Sequence, residues 1–474
     1  MTKRYILIAL IWKLTVMDAS AQSPFAKTIG ENWEDEEGYA MHLNSDGTIM
    51  IAGFTEAISS GTRDAYLIKS DSGGDTIWTK KFGMSALDEF NDVIQTSDGG
   101  YAMTGKTWNG VGVDGDLYLV KTDSDGNLTW EKFISKGMDE TGYALQQTMD
   151  NGYIITGSSG SISSSSILLV KTDVNGDTTW AKTYPSSNYG EGEAVIETSG
   201  GDFMIFGYRN NIMYLMKTDA NGDSIWAKNY TDGEYGLDMK ATSDGGYILL
   251  GYTNNIGVGD YDLYLVKVDA NGDTMWTNTY GGIDYENAHA VIQSSDGGYV
   301  LVGSSYSFSS GDNDLYIVKT NGSGVFEWQN NYGSIYYDVG YDVVQTTDGG
   351  FLIVGSYYQP ATFYADVYLV KDMSGPNSIE SNGISGSQLI SVAPNPFTEE
   401  TVLTLRLDSK SANTVVYVEL FDLLGKRMNR TELLAENPGL VNIVINRNNM
   451  PQGLYFYRVS SNQKIIAKGK LTVQ

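Results

Sequence analysis

An acidic side chain recurs at one position of a pattern that repeats along most of the chain. Thirteen residues before the start of a recurrent apolar strand, each of seven repeats has an acid or, in one case, an acid next to glycine: Asp35, Asp88, Glu140, Glu191 (beside Gly190), Glu234, Glu286 and Asp338. Carboxylate oxygens are preferred ligands of Ca²⁺, and clustered like charges need a cation or hydrogen-bond donors to compensate them. The pattern predicts either a ring that binds Ca²⁺ or a cationic ligand, or a repeated structural device in which each acid accepts backbone N–H bonds.

Aromatic residues are concentrated in the loops that join the second and third strands of the repeats. They are Trp108, Tyr252, Tyr306, Phe308 and Tyr357. An aromatic rim suits sugar rings or protein partners, because these side chains combine a large apolar body with, for Tyr and Trp, a polar group. Packing of the loop side chains on one another explains the same composition, so both interpretations stay open.

The chain offers few other groups for catalysis. It has no Cys and two His, His42 and His289, and it lacks both a Gly-x-Ser-x-Gly motif and a phosphate-binding loop. We therefore predict no catalytic residue. Because acid pairs are plentiful, the alternative is an extracellular carbohydrate-active enzyme, a glycosidase or lyase, with carboxylates of the loop face as acid and base.

The elements that position these residues are strand–turn–strand repeats. Asp262–Trp276 combines an alternating strand, an Asn-Gly turn and a second strand that opens on a Trp. Asn-Gly between alternating apolar runs favours a type I′ hairpin, whose turn residues need positive φ. An Asp-Gly-Gly-aromatic turn comes before this hairpin, so a repeat of about 50 residues predicts four antiparallel strands, which is one blade of a β-propeller. The other copies of the hairpin end at Trp78, Trp130, Trp180, Trp226 and Trp328.

The repeats leave one strand to be supplied from the N-terminal end of the chain. Seven first turns are present, but the last repeat, 341–371, has no fourth strand. Phe25–Ile29 matches the residue pattern of Trp180–Tyr184. We therefore expect an all-β protein in which residues 24–372 form a seven-bladed propeller closed by Phe25–Ile29, with the Trp side chains packed between blades.

Charge and composition restrict the partners. The 474 residues carry a formal net charge of −27, and because residues 388–474 contain ten basic and seven acidic residues, the acidic excess lies before them. An acidic body of this kind argues against nucleic acid and anionic membranes as partners.

The first residues have the features of a secretory signal. Lys3 and Arg4 precede an apolar run, 5–12, and Ala19-Ser-Ala21 provides small residues at a cleavage site. We predict a signal peptide over 1–21. No other run is long and apolar enough to span a bilayer as a helix, so we expect no transmembrane segment after signal removal.

The last part of the chain has a different pattern. Residues 373–387 have the Ser-, Gly- and Asn-rich composition of a linker, and the alternating runs in 388–474 predict a small Ig-like β-sandwich. Four motifs follow in order: Pro394-Asn395-Pro396, Asp422-x-x-Gly425-Lys426, Gly453-x-Tyr455, and Lys-Gly-Lys470 near the end. This region resembles the C-terminal sorting domain of type IX secretion, although the Tyr usual before Pro-Asn-Pro in that family is Ala393 here.

The resemblance implies passage across the outer membrane of a Bacteroidetes-type bacterium by the type IX machinery, followed by removal of the sorting domain. The repeats also resemble the seven-bladed propellers found ahead of such domains in these bacteria. We expect a secreted or cell-surface binding or adhesion module, with an extracellular glycan or protein as its ligand.

Overall fold

The computed structural model describes residues 24–30, 34–57, 61–83, 87–108, 115–161, 164–309, 311–359, 364–373, 388–393, 400–407, 414–421, 426–435, 439–447, 450–461 and 464–473. Within these ranges the chain forms strands and turns and no helix, which confirms the all-β class. The predicted signal peptide, 1–21, and residues 374–387 of the predicted linker lie outside the described residues.

The strands of the repeat region are numbered in chain order. They are β1 Phe25–Ile29, β2 Glu34–Leu43, β3 Ile49–Ala57, β4 Thr62–Ser70, β5 Thr76–Phe82, β6 Leu87–Gln95, β7 Tyr101–Trp108, β8 Asp116–Thr122, β9 Leu128–Ile134, β10 Asp139–Gln147, β11 Tyr153–Ser161, β12 Ser164–Thr172, β13 Thr178–Tyr184, β14 Gly190–Glu197, β15 Phe203–Arg209, β16 Met213–Thr218, β17 Ser224–Tyr230, β18 Tyr235–Ala241, β19 Tyr247–Thr253, β20 Asp262–Val268, β21 Thr274–Tyr280, β22 Glu286–Gln293, β23 Tyr299–Ser305, β24 Asp314–Thr320, β25 Phe326–Tyr332, β26 Asp338–Gln345, β27 Phe351–Tyr358 and β28 Ala365–Asp372.

These strands form seven four-stranded antiparallel units in the described part of the chain, and a single parallel pair, Arg63 with Leu87, links units 1 and 2 into one sheet. Units 1 to 6 each use four consecutive strands, from β2–β5 to β22–β25, which we letter A to D in chain order. Unit 7 uses β26, β27 and β28 as A to C. The A strands of all seven units line one central cavity, which is the arrangement of a β-propeller.

The strand that completes unit 7 comes from the other end of the repeat region. β1 pairs antiparallel with β28, with Phe25 opposite Lys371 and Ile29 opposite Val367. Units 7 and 1 are also joined directly, because the Met41 N–H donates to Asp342 Oδ2 at 2.8 Å. The predicted closure by Phe25–Ile29 is confirmed.

The D-strand aromatic rings of units 1 to 5 and of unit 7 each pack on the C–D turn of the following unit. A Cβ added to Gly222, whose φ is +76°, would lie 2.8 Å from the ring of Trp180. Gly74, with φ of +81°, has the same relation to Phe25 at 3.0 Å. Glycine is therefore needed in the C–D turn for two reasons: the backbone has a left-handed conformation, and the aromatic ring leaves no room for a Cβ.

A buried lysine holds most of the A–B turns. Lys121 Nζ lies 3.0 Å from Asp98 Oδ2 and donates to the Thr122 carbonyl at 2.7 Å. The second glycine of the turn makes room for the ammonium, since a Cβ on Gly152 would lie 2.6 Å from Lys171 Nζ. The same ion pair occurs in Lys171–Asp150, Lys267–Asp244, Lys319–Asp296 and Lys371–Asp348.

The C-terminal strands form two antiparallel sheets. They are β29 Gln388–Ala393, β30 Glu400–Leu407, β31 Thr414–Phe421, β32 Arg427–Ala435, β33 Gly439–Asn446, β34 Gly453–Ser461 and β35 Lys464–Val473. β29, β30 and β33 make one sheet, and β32, β31, β34 and β35 make the other. Leu403, Val418, Ile443 and Tyr457 contribute to one core that both sheets share. The Ig-like assignment of this sandwich stays a prediction.

Candidate functional site

The predicted ring of carboxylates does not line the central cavity. In unit 1 Gly38 pairs with Gly53, and in unit 2 Phe90 pairs with Gly105. Glu36 lies two residues before Gly38, just as Asp88 lies two residues before Phe90, so Glu36 is the counterpart of Asp88. The choice of Asp35 is therefore wrong by one residue; Asp35 accepts an N–H bond from Ala365 at 2.7 Å. The carboxylates at this position that are fully buried are Glu36, Asp88, Glu140, Glu286 and Asp338, and Glu234 is partly buried.

These buried carboxylates hold the connections that lead into their own strands. The backbone N–H of Lys136 donates to Glu140 at 3.0 Å, that of Gly282 to Glu286 at 2.7 Å, and the Ser334 N–H donates to Asp338 at 2.5 Å. This is the structural alternative considered for the pattern. No three His, Asp or Glu side chains of the described residues are placed to hold a metal ion, so the Ca²⁺ hypothesis has no such ligand set there.

A different set of side chains, one from each unit, does converge. The pairing of every A strand with its B strand shifts by one residue at the same place, which inserts a β-bulge. A bulge re-aims a side chain out of the regular alternation and is common beside functional sites. The bulged residues line the cavity, and we call them the bulge ring: Tyr39, Asn91, Tyr143, Glu193, Leu237, His289 and Tyr341.

The cavity that the bulge ring lines has a volume of about 640 Å³. All seven side chains of the ring are partly exposed to it. We call the end at which the A strands begin the mouth, because the D–A and B–C loops surround it. The bulge ring therefore presents phenol, amide, carboxyl and imidazole groups to any molecule that enters from the mouth.

One side of the ring has a pair of glutamates, Glu193 in the ring and Glu191, which does not line the cavity. Desolvation of Glu193, followed by the like charge of Glu191, raises the pKa of Glu193 well above its usual value. Burial and the same two glutamates also raise the pKa of the Tyr143 phenol. Burial and the neighbouring carboxylate therefore shift Glu193 towards its protonated form.

An aromatic cluster forms the other side. The Tyr341 ring lies 5.0 Å from Tyr39 and 4.9 Å from His289 between ring centres, both edge to face. The Tyr341 hydroxyl donates to Glu37 at 3.0 Å, and burial raises the pKa of this glutamate. Burial also lowers the pKa of His289 to about 4, so its imidazole is neutral at pH 7.

Three aspartates and one lysine lie deeper in the cavity. Each aspartate joins two units: Asp92 accepts the Leu145 N–H at 2.8 Å, and Asp238 accepts the Val291 N–H at 2.9 Å. The Lys240 ammonium donates to Asp238 at 2.8 Å and also interacts with Asp92 and Asp342. These contacts link side chains and backbone of neighbouring units, so this layer holds the units together.

Near the mouth, Arg63 forms ion pairs with two glutamates. Arg63 Nη1 lies 2.9 Å from Glu89 Oε2, and its Nη2 lies 3.1 Å from Glu56 Oε2. The guanidinium also lies 3.7 Å from the centre of the Phe54 ring. Glu89 is thus already paired within the protein.

Six tyrosines continue from the mouth across units 4 to 6. Neighbouring rings are 4.7 to 6.4 Å apart between centres, alternating between stacked and edge-to-face contacts. The first, Tyr208, lies beside Glu191 and Glu193, and the last two, Tyr285 and Tyr306, are 46% and 38% exposed. We call this series the tyrosine ladder: Tyr208, Tyr235, Tyr252, Tyr261, Tyr285 and Tyr306.

The predicted aromatic rim is only partly brought together. Tyr252 and Tyr306 belong to the tyrosine ladder. Phe308 instead stacks on Tyr316 at 5.3 Å, and Tyr357 contacts Tyr368 at 5.1 Å. Trp108 ends β7 in unit 2, opposite Leu87.

The sorting motifs are described only in part. Pro394, Asn395, Pro396, Asp422 and Gly425 lie outside the described residues. Tyr455 is buried, and its hydroxyl donates to the Pro451 carbonyl at 2.8 Å. The remaining motif residues are Lys426, just before β32, Gly453, which begins β34, and Lys470, opposite Phe456 in β35.

Most of the bulge ring was not predicted, although the sequence contains a signal for it. The residue before each bulge is Gly in five units and Ala or Phe in the others, whereas the bulged residue differs widely. His289 is the counterpart of Asn91 in the repeat, but a regular alternation of faces gives no reason to connect the two with Tyr39, Glu193 or Tyr341. The bulge supplies that reason.

Comparison with known proteins identifies the C-terminal region. Residues 391–474 match the family described as the secretion system C-terminal sorting domain. This domain implies export by the type IX route and interaction with its machinery. Among curated protein sequences, none matches the chain. Within the described ranges there is no helix of the length and hydropathy that a membrane span requires.

Several solved structures match this chain at low sequence identity and low structural similarity. The β-propeller domain of the Trilobed protease from Pyrococcus furiosus is 11% identical, covers 67% of this chain and 88% of its own, and gives a TM-score of 0.35. The endo-arabinase from Bacteroides thetaiotaomicron is 14% identical, with 73% and 96% covered and a TM-score of 0.30. The exo-β-1,3-galactanase from Phanerochaete chrysosporium, solved with galactose, is 10% identical, with 95% and 100% covered and a TM-score of 0.32.

Proposed function

We propose that this protein is a secreted or cell-surface β-propeller that acts as a binding or adhesion module, with its ligand at the mouth of the central cavity. The bulge ring is the observation that carries the proposal. Positions that serve packing repeat one residue type from unit to unit, as the D-strand Trp and the turn Gly do. Seven different side chains that face one cavity are instead typical of a site that recognises a ligand.

Variants of the bulge ring test this proposal. Leu occupies the ring in unit 5, so Tyr143→Leu and Tyr341→Leu place a residue that the same backbone position accepts. The full-length protein and these variants are compared for attachment to surfaces coated with extracellular polysaccharides or matrix proteins. We expect attachment by the wild type and a loss of at least tenfold in the variants, with Ile77→Ser, an exposed change on a D strand, as the control. Equal attachment by all four proteins would contradict a site in the cavity.

The export route has its own test. In a bacterium with a type IX system, a chain that lacks 388–474 should accumulate inside the cell envelope, whereas the full chain should reach the surface or the medium. Fractionation followed by immunoblotting measures this. Secretion of the shortened chain at the normal level would show that the sorting domain is not required.

A second candidate function rests on Glu193. A carboxyl whose pKa is raised by burial can serve as the general acid of a glycosidase or lyase. Glu191 is hydrogen-bonded to Glu193, closer than the roughly 5 to 9.5 Å between the two carboxyls of such enzymes, so a different carboxylate would have to act as base or nucleophile. Release of new sugar ends from polysaccharides, lost in Glu193→Gln, would support a glycosidase or lyase. Binding without release of sugar ends would favour the binding module.

A further inference from the structure

The bulge ring is a hydrogen-bonding surface whose ionisable groups are shifted by burial towards their neutral forms. Burial raises the pKa of Glu193 well above its usual value and lowers the pKa of His289 to about 4. Tyr39, Tyr143 and Tyr341 add three phenols, and Asn91 adds an amide. Such groups both donate and accept hydrogen bonds, which is what a sugar with several hydroxyl groups requires.

The glutamates beside the bulge ring have partners inside the protein. Glu89 forms an ion pair with Arg63 at 2.9 Å, and Glu37 accepts the Tyr341 hydroxyl at 3.0 Å. Glu193 and Glu191 are hydrogen-bonded to each other. The loops around the mouth also carry exposed aspartates, Asp232, Asp260, Asp284 and Asp312, and with the net charge of −27 on the whole chain they repel an acidic ligand.

The tyrosine ladder extends this site outward. It starts beside Glu191 and Glu193 and ends at Tyr306, and Tyr189 and Ile283 near its course are 38% and 52% exposed. Aromatic side chains bind the apolar faces of sugar rings, and their polar edges bind the hydroxyls. A series of rings 4.7 to 6.4 Å apart that ends in two exposed tyrosines suits a polymer of repeated units.

We infer that the ligand is a neutral glycan chain, with one end held by the bulge ring and the following sugars lying along the tyrosine ladder. This rests on the proposed function and narrows it to one ligand class. The occupant follows from the ring's groups that both donate and accept hydrogen bonds, from the negative net charge that repels acidic glycans, and from the aromatic series that leads away from the ring. The ring recognises a chain end and the ladder recognises chain length.

Calorimetry with neutral oligosaccharides of increasing length, drawn from the hits of a glycan array, tests the inference on the full-length protein. We expect affinity to rise from disaccharide to hexasaccharide. Tyr306→Ala, at the far end of the ladder, should weaken hexasaccharide binding roughly three- to tenfold and leave the disaccharide unchanged. Glu193→Leu should weaken both, and Ile77→Ser should weaken neither.

Three results would overturn the inference: no binding of any neutral glycan, equal binding of uronate-containing glycans, or unchanged binding in Tyr306→Ala and Glu193→Leu. Attachment to matrix proteins through the bulge ring without glycan binding would leave the proposed function intact and remove this ligand class. Absence of both kinds of binding would remove the two together. Circular dichroism of each variant confirms that a loss of binding is not a loss of fold.

Discussion

The ring of Phe25 lies against Gly74 as the ring of Trp180 lies against Gly222. A Cβ on either glycine would come within 3.0 Å of the aromatic ring. The first described strand therefore performs, between units 7 and 1, the packing that a Trp performs between other units. The repeat pattern continues across the point where the chain closes on itself.

Phe25→Ala should weaken this closure. The ring is partly buried, so we expect a loss of roughly 2 kcal/mol in the free energy of unfolding, below the value for a fully buried Phe. Thermal unfolding and the rate of proteolysis near the N-terminus measure the effect. Ile77→Ala, at a side chain that is 52% exposed, is the control. Equal melting temperatures and proteolysis for wild type and Phe25→Ala would show that closure does not depend on this ring.

Gly222→Ala should destabilise the protein more than Gly245→Ala. Both glycines have a left-handed φ, +76° and +84°, so each substitution carries the same backbone strain of about 1 kcal/mol. A Cβ on Gly245 meets no atom within 4 Å, whereas one on Gly222 meets the Trp180 ring. We expect roughly 1–2 kcal/mol of further loss for Gly222→Ala. Denaturant unfolding of the two variants measures the difference. An equal loss of stability in both would show that the Trp180 ring does not require glycine at this position.

Lys267→Met should destabilise an A–B turn and change how stability depends on pH. The hydrogen bond from Thr242, together with the Lys267 ammonium, lowers the pKa of Asp244 to about 2. A lowered carboxyl pKa stabilises the fold above the pKa of the unfolded chain, about 4, and this contribution is lost as the pH falls towards 2. In Lys267→Met we expect a loss of roughly 1–2 kcal/mol at pH 6 and a smaller decline between pH 4 and 2. Urea unfolding at several pH values measures both, with Lys136→Met at an exposed lysine as the control. A decline as steep as that of the wild type would show that Lys267 does not affect Asp244.

Asp92→Asn should reduce the dependence of folding stability on pH between about pH 4 and 8. Burial raises the pKa of Asp92 to about 7. A raised carboxyl pKa favours the folded state fully below about pH 4, and the contribution declines as the pH rises through 7. Asn retains an acceptor for the Leu145 N–H but does not titrate. We expect the wild type to lose more stability than Asp92→Asn between pH 4 and 8, measured as the melting temperature. Asp284→Asn, at an exposed loop position, should behave as the wild type; if Asp92→Asn does so too, the carboxyl does not titrate in this range.

Much of the fold could be predicted because local chemistry repeats. Asn-Gly and Asp-Gly-Gly turns predict hairpins, and the alternating apolar pattern of Asp262–Val268 predicts a strand that the structure contains. Phe25–Ile29 could be placed because it keeps the pattern of a D strand. β32 was not predicted, since Arg427 and Arg430 interrupt the apolar alternation of an outer strand.

The site was harder to predict, because the direction of a side chain depends on the bulge. If side chains alternated regularly after the buried Asp88, Glu89 would face the cavity. This alternation does not show that the side chains of Asn91 and Asp92 both line it. One extra residue in each A strand changes the face of everything after it. The buried partner of Asp98 was also missed, because Lys121 lies on another strand and only pairing brings the two together.

The pairing of β1 with β28 sets an order of events during synthesis. Phe25 meets Lys371, and almost the whole repeat region must be made before the two strands can join. For a loop of about 350 residues, the length-dependent entropy of closure is about 5 kcal/mol, which the final interface has to outweigh. Until then the nascent chain carries two unpaired strand edges, one at each end, and these are open to pairing with other chains. Cells that make this protein would therefore need to keep its earliest strand apart from neighbours until the last one arrives.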